Sequence, residues 1–294
     1  MLNVVILISE PHKTFGSSVL RGEQLHSMCN TFFSGADIRF RLAYSTADIS
    51  DSFIIFSKMA ALTADPKTLG ELRSRGNKLY ADYLDAQIPA ATARLMDGFI
   101  ASSILQQRFL AARYPGKRVV LVTHHVDLDI PDLEFAHDSF RCAYFGDFGN
   151  ALHEKHLHAK VDFHDTTTSS REWIRKFPLY SCHYGLRSRR YDFWNRRYRA
   201  GFKPFTKGFI AAHVGAVILI GKDDKEALSY LGTDYPYICD GRSLPSVSRA
   251  LDDMQRSFQS ESWHRAVDVM KSLKARIAPQ RLKAELTELF FGTA

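Results

Sequence analysis

Strand-like and helix-like segments alternate from one end of this chain to the other. Asn3–Ser9 is an almost unbroken apolar run, the pattern of a strand buried on both faces. A polar loop, Glu10–Ser17, and an amphipathic helix around Val19–Phe32 follow it. Phe40–Ala43 and Phe53–Ser57 read as short strands, Pro66–Arg75 as a helix stopped by Gly76, and Lys78–Tyr83 as another strand. Ala91–Met96 has a helical pattern, Gly98–Ala101 is a short strand, and Ile104–Tyr114 is a helix halted by Pro115-Gly116. Lys117–Thr123 is the clearest strand of this half.

The polar segment His124–Asp138 interrupts the alternation and predicts a linker. Beyond it, Phe140–Phe145 is a strand running into the turn Gly146-Asp147-Phe148-Gly149 and a His-rich helix. Lys160–His164 and Leu179–Tyr184 are strands separated by a short helix, Glu172–Lys176. A loop, a helix and the apolar strand Ala216–Ile220 span Lys203–Gly221, with Gly215 as the helix stop. A helix Lys222–Leu231, a brief strand Tyr237–Cys239 and two helices, roughly Ser246–Gln259 and Ser262–Leu289, finish the chain. Strands that alternate with helices pair in parallel, so the expected fold is α/β, with two doubly wound Rossmann-like domains facing a central cleft. The expected boundaries are 1–128 for the first domain and 129–275 for the second, with a final helix in 276–294 packing back on the first.

Length and composition narrow the class. At 294 residues the chain can build two cores, and its apolar fraction of 45% is that of a globular protein. No apolar run approaches the roughly 20 residues that cross a bilayer, and the N-terminus reads as a strand rather than a signal peptide. Cys29, Cys142, Cys182 and Cys239 are scattered without a C-x-x-C pair, as expected of free thiols in a reducing cytoplasm. The net charge of +7 is concentrated: Arg187–Arg199 holds six arginines against the single acid Asp192. Such a segment draws anions. Its aromatic and basic mixture suits a loop closing over an anionic ligand, and it would also suit an anionic membrane surface or single-stranded nucleic acid. Nucleic acid is not the expected partner.

Candidate chemistry gathers in Lys203–Gly221, K-P-F-T-K-G-F-I-A-A-H-V-G-A-V-I-L-I-G. A helix N-terminus offers unpaired backbone N–H groups and a positive dipole end, and Lys203, Thr206 and Lys207 stand there as additional donors. Several other signals carry less. Asp127-Leu128-Asp129 is a D-x-D placed in the linker, and His153, His156 and His158 lack the i, i+4 spacing of paired zinc ligands, so no metal is expected. G-x-G-x-x-G after the first strand, G-x-x-x-x-G-K-[ST] and G-x-S-x-G are absent from the sequence, so dinucleotide oxidoreductases, P-loop NTPases and elbow hydrolases lose their signatures.

The order of these pieces resembles the GT-B class of nucleotide-sugar glycosyltransferases. Asn3–Gln24 is similar to the first strand, glycine-bearing loop and helix of the acceptor-side domain, and Glu71–Asp85 to a segment that builds a middle strand. His124–Asp127 stands where such enzymes pass between domains. Arg141–Asn150 is similar to the first strand and glycine turn of the donor domain, and Lys203–Gly221 to the donor-site block. The resemblance implies metal-independent transfer of a sugar from a nucleoside-diphosphate donor to a glycan, lipid-linked or small-molecule acceptor. It implies no cofactor beyond that co-substrate, whose base stays open, and for a protein placed in the cytoplasm by its thiols it leaves peripheral contact with an anionic membrane through 187–199 as an option.

By position, Arg187, Lys203, Thr206 and Lys207 would hold the diphosphate, with Gly146, Asp147, Gly149, Asp224 and Glu226 around the nucleotide and sugar. On the acceptor side, Gly16 and Ser17 would permit close approach, and His12 or Glu10 would act as base if configuration inverts. The acidic motif of this class is represented only by Asp223, Asp224 and Glu226, and the chain is short for the class. Both features also fit a transferase-like binding module without catalysis, and the arginine segment keeps a nucleic-acid-binding protein as a further alternative.

Overall fold

The computed structural model describes residues 1–86, 89–168, 170–188 and 202–292. They divide into two compact units. The first contains residues 1–127, the described residues 202–204 and the chain from Pro279; the second contains 128–188 and 205–278.

The first unit is built on six parallel strands: β1 (Leu2–Leu7), β2 (Ile38–Ala43), β3 (Phe53–Phe56), β4 (Lys78–Asp82), β5 (Gly98–Ala101) and β6 (Arg118–Leu121). Their order is β2-β1-β3-β4-β5-β6. Successive side chains of a strand point to opposite faces, and β1 shows the consequence. Val4 and Ile6 enter one apolar cluster, Val5 and Leu7 the other. This explains why the strand reads as continuously apolar. One cluster is completed by Leu282, Leu286, Leu289 and Phe290 of the last helix, Pro279–Phe291.

Helix ends follow their sequence signals. Pro66–Ser74 begins with Asp65 accepting from the Thr68 N–H at 2.9 Å. Ser103 accepts from the Gln106 N–H at 3.2 Å to start Ile104–Arg113.

The second unit has five parallel strands, β7 (Cys142–Phe145), β8 (Asp162–His164), β9 (Cys182–Tyr184), β10 (Val217–Gly221) and β11 (Ile238–Cys239). Their order is β11-β10-β9-β7-β8. The helix Thr206–His213 feeds β10 through Gly215, whose φ of +72° is open to glycine. A Cβ there would also lie 2.1 Å from the Glu134 carbonyl oxygen.

Three segments depart from their patterns. The amphipathic stretch after Gly16 is not one regular helix: Val19–Gln24 winds in wider π-helical turns before the α-helix Leu25–Phe32. Gly22 packs so closely there that a Cβ would lie 2.5 Å from Ile8 Cδ1. Apolar spacing carries no signal for the extra residue in such a turn. The His-rich helix is absent among the described residues. Only one 3₁₀ turn, Glu154–His156, forms, entered by His153 in left-handed conformation at φ 56°. The run Ser262–Leu289 is two helices, Glu261–Arg276 and Pro279–Phe291, because Pro279 lacks the N–H that would continue the first one. That break also passes the chain from the second unit to the first.

Candidate donor-binding site and the polar cluster of the first unit

β7 ends in a tight turn. Gly146 has φ +154°, and its N–H donates to the His164 carbonyl at 3.0 Å, so the turn is tied to the end of β8. Asp147 braces the turn by accepting from the Gly149 N–H at 2.8 Å and the Asn150 side-chain amide at 3.1 Å. The segment after β9 returns beside this turn. Arg187 forms an isolated antiparallel bridge with Ala151, and the Ser188 N–H donates to the Asn150 carbonyl at 2.8 Å.

Lys207 reaches the same turn from the first turn of Thr206–His213. Its ammonium donates to the Phe145 carbonyl and lies 3.8 Å from the centre of the Tyr144 ring. A Cβ on Gly146 would stand 2.7 Å from Lys207 Nζ and 2.9 Å from Tyr144 Oη. Glycine at 146 is therefore what admits the ammonium. Phe205, at the N-cap position of the helix, supplies no side-chain cap, and Thr206 is the first helical residue. A cation, a hydroxyl-bearing side chain and a helix start thus share one end of the sheet. Below them His183 is buried on β9. Its Nε2 finds no hydrogen-bond partner among the described residues, and burial, reinforced by the Lys207 charge, pushes its pKa down to about 3.

Gly146, Asp147, Gly149, Thr206, Lys207 and Arg187 thus all lie on this end of the second unit. The remaining candidates are placed otherwise. Asp224 caps the helix Lys225–Leu231 by accepting from the Ala227 N–H at 3.1 Å, and Glu226 is buried at its first turn. Lys203 is exposed and belongs to the first unit. Of the arginine-rich segment, only Arg187 and Ser188 are among the described residues; the rest of the expectation for 187–199 lies outside them.

In the first unit, Glu10 pairs with Lys13 at 2.7 Å, and Ser9 Oγ lies 2.9 Å from His12 Nδ1. Gly16 and Ser17 come next in the short helical turn Gly16–Ser18.

A buried polar cluster lies beyond them that the sequence pattern does not announce. Arg21, on the π-helical turns, pairs with Asp82 at the end of β4 at 2.7 Å, and neither side chain has any exposure. Arg21 also donates to the Thr123 carbonyl at 3.2 Å, while its Nη2 finds no partner among the described residues. His124 and His125 come directly after Thr123, both buried. Burial and then Arg21 hold His124 down to about 4; burial, His124 and Arg21 depress His125 as well. One signal was readable: Asp82 interrupts the apolar run Leu79–Leu84, where burial of a charge requires a partner. Which charge meets which, 61 residues apart, was not.

No protein-family model matches the sequence, and no curated protein does. Solved structures do. A glycosyltransferase from Rickettsia africae superposes with a TM-score of 0.63 at 7% identity, covering 98% of this chain and 97% of its own. HepE of Anabaena, solved in complex with UDP, gives 0.64 at 10% identity over the whole of both chains. Sucrose-phosphate synthase from Thermosynechococcus elongatus gives 0.60 at 8% identity over 99% and 98%.

The chain has the GT-B fold.

Within that fold, the six-stranded unit comes first in sequence and the five-stranded unit second. Among the described residues, no helix is long and apolar enough to cross a membrane, and no group of three or more His, Cys, Asp or Glu side chains is arranged to hold a metal ion.

Proposed function

We propose that the protein is a glycosyltransferase that takes a sugar from a nucleoside-diphosphate donor bound to its second unit. The observation that carries this reading is the meeting of Lys207, the Gly146 turn and the first turn of Thr206–His213. Breaking the anomeric C–O bond leaves negative charge on the departing diphosphate, and preorganised donors stabilise that charge as it develops. Lys207 is preorganised in this sense: the Tyr144 ring and the Phe145 carbonyl fix its ammonium before any ligand arrives. Thr206 and the backbone N–H groups behind it add donors, and Arg187 stands beside the same turn. These groups supply positive charge from the protein itself, so the proposed transfer needs no divalent cation. The GT-B neighbour solved with UDP supports a nucleotide as the ligand. Acceptor chemistry falls to the loop after β1, where His12, oriented by Ser9, would serve as base in an inverting reaction.

A thermal-shift series against nucleoside diphosphates and their sugars tests this directly, because a ligand that binds only the folded state raises its melting temperature. The reading expects a rise with at least one diphosphate and none with the matching nucleoside. No rise with any diphosphate would remove it.

One observation favours a second reading, a nucleotide-binding module without catalysis. Asp224 is engaged as a helix cap and Glu226 is buried, so neither acid stands ready for a sugar hydroxyl. Diphosphate-sugar binding with no release of free diphosphate across a broad acceptor panel would support the module over the enzyme.

A further inference from the structure

Two large aromatic side chains stand out at the carboxyl end of the first sheet, Phe15 at 50% exposure and Tyr44 at 43%. They come after adjacent strands: β1 and β2 pair along their length, and the Ile8 N–H donates to the Ala43 carbonyl at 2.9 Å just before Tyr44. Phe15 is not loosely hung. Its ring meets His12 edge-on, 5.0 Å between centroids and 80° between planes, and His12 is itself held by Ser9. Lys13, two residues before Phe15, donates to Glu10 at 2.7 Å, and Tyr44 and Glu23 both act on its charge. Beside them the backbone is open: a Cβ on Gly16 would meet nothing within 4 Å among the described residues.

A pyranose ring matches such a surface. One of its faces is a patch of C–H groups, which packs on an aromatic plane, and its rim is a ring of hydroxyls, which need donors and acceptors close by. Phe15 and Tyr44 supply the planes; Glu10, His12, Lys13 and Ser17 supply the rim. An anionic lipid surface matches poorly, since it is drawn by an excess of basic residues. Here Lys13 is answered by Glu10 and Glu23.

We propose that Phe15 and Tyr44 are a stacking platform for a sugar ring of the acceptor, which makes that acceptor a glycan. The proposal rests on the transferase reading for the reason a sugar comes to this loop, and it names the substrate class that the reading leaves open.

The test is saturation-transfer NMR on the full chain with methyl gluco-, galacto- and mannopyranoside, alongside sedimentation with phosphatidylglycerol vesicles and calorimetry with UDP. Wild-type protein should transfer saturation to the ring C–H protons of at least one glycoside. Phe15→Ala combined with Tyr44→Ala should weaken that binding by about tenfold while UDP affinity is unchanged. Tyr44→Phe should retain most of it. Normal UDP binding with no glycoside signal, or a signal indifferent to the double substitution, overturns the platform and leaves the transferase reading standing. Vesicle binding that the double substitution abolishes, without any glycoside signal, overturns it in favour of a lipid surface. Failure to bind any nucleoside diphosphate strikes the transferase reading alone, and the glycoside signal still decides the platform.

Discussion

Removing either partner of the Arg21–Asp82 pair should be the most damaging single change in the first unit. The pair sits at 2.7 Å with both side chains fully buried, so truncating one leaves the other as an unpaired interior charge. That situation costs about 3–5 kcal/mol, a large share of the stability of any domain. Arg21→Met and Asp82→Leu should each show a loss of that size in urea unfolding of the full chain followed by circular dichroism. The double variant removes both charges and keeps apolar volume. It forfeits the bond from Arg21 to the Thr123 carbonyl, 3.2 Å, and the bond from the Leu84 N–H to Asp82, 3.2 Å. At about 1 kcal/mol each, the double loss is about 2 kcal/mol, less than either single. The cycle is therefore strongly non-additive. Two small, additive single effects would mean that the pair is solvated or apart, and the account of the β4 end would be wrong.

Other expectations rest on the same chemistry. His124, His125 and His183 are held neutral in the fold, with values of about 4 for His124 and about 3 for His183. The stability they contribute is complete above the ordinary imidazole value and is lost as pH falls through it toward those folded values. Between about pH 6.5 and 4, each should lower the unfolding free energy by up to about 1.4 kcal/mol per pH unit; a melting temperature flat across that window contradicts it. Gly146→Ala should displace Lys207 from Tyr144 and Phe145, costing about 2–4 kcal/mol of stability in the second unit; wild-type unfolding would show that the turn has room. All four cysteines are buried, and burial pushes Cys29 and Cys239 up to about 12 and Cys142 well above the ordinary thiol value. Ellman's reagent should label none of them in the native protein and all of them in denaturant, and rapid native labelling would refute their burial.

Much of this fold was legible because its strands are short apolar runs punctuated by glycine, proline and capping residues. Gly98–Ala101 has the same limits in the pattern and in the fold, and Gly76 and Gly215 stop helices where the pattern places them. The features that escaped depend on contacts distant in sequence or on backbone detail. The π-helical turns at Val19–Gln24 exist with Gly22 pressed against Ile8, which no apolar period reports. The His-rich segment carries helical spacing, yet His153 is held left-handed with its ring 2.9 Å from the Gly241 carbonyl.

At the candidate site, the residue types were readable and their geometry was not. Lys207 was visible as a cation at a helix start, but its seat on Tyr144 and the need for glycine at 146 required the folded turn. Asp224 and Glu226 illustrate the converse. Acids at a helix start serve the helix as readily as a ligand, and here Asp224 does so.

In the proposed transferase, Lys207 and its turn hold a nucleoside diphosphate. Calorimetric titration of UDP into the full chain and into Lys207→Ala tests that contact. The wild type should bind saturably and the variant should lose about tenfold or more, the worth of a charge-assisted contact. Equal affinity in both proteins would contradict it.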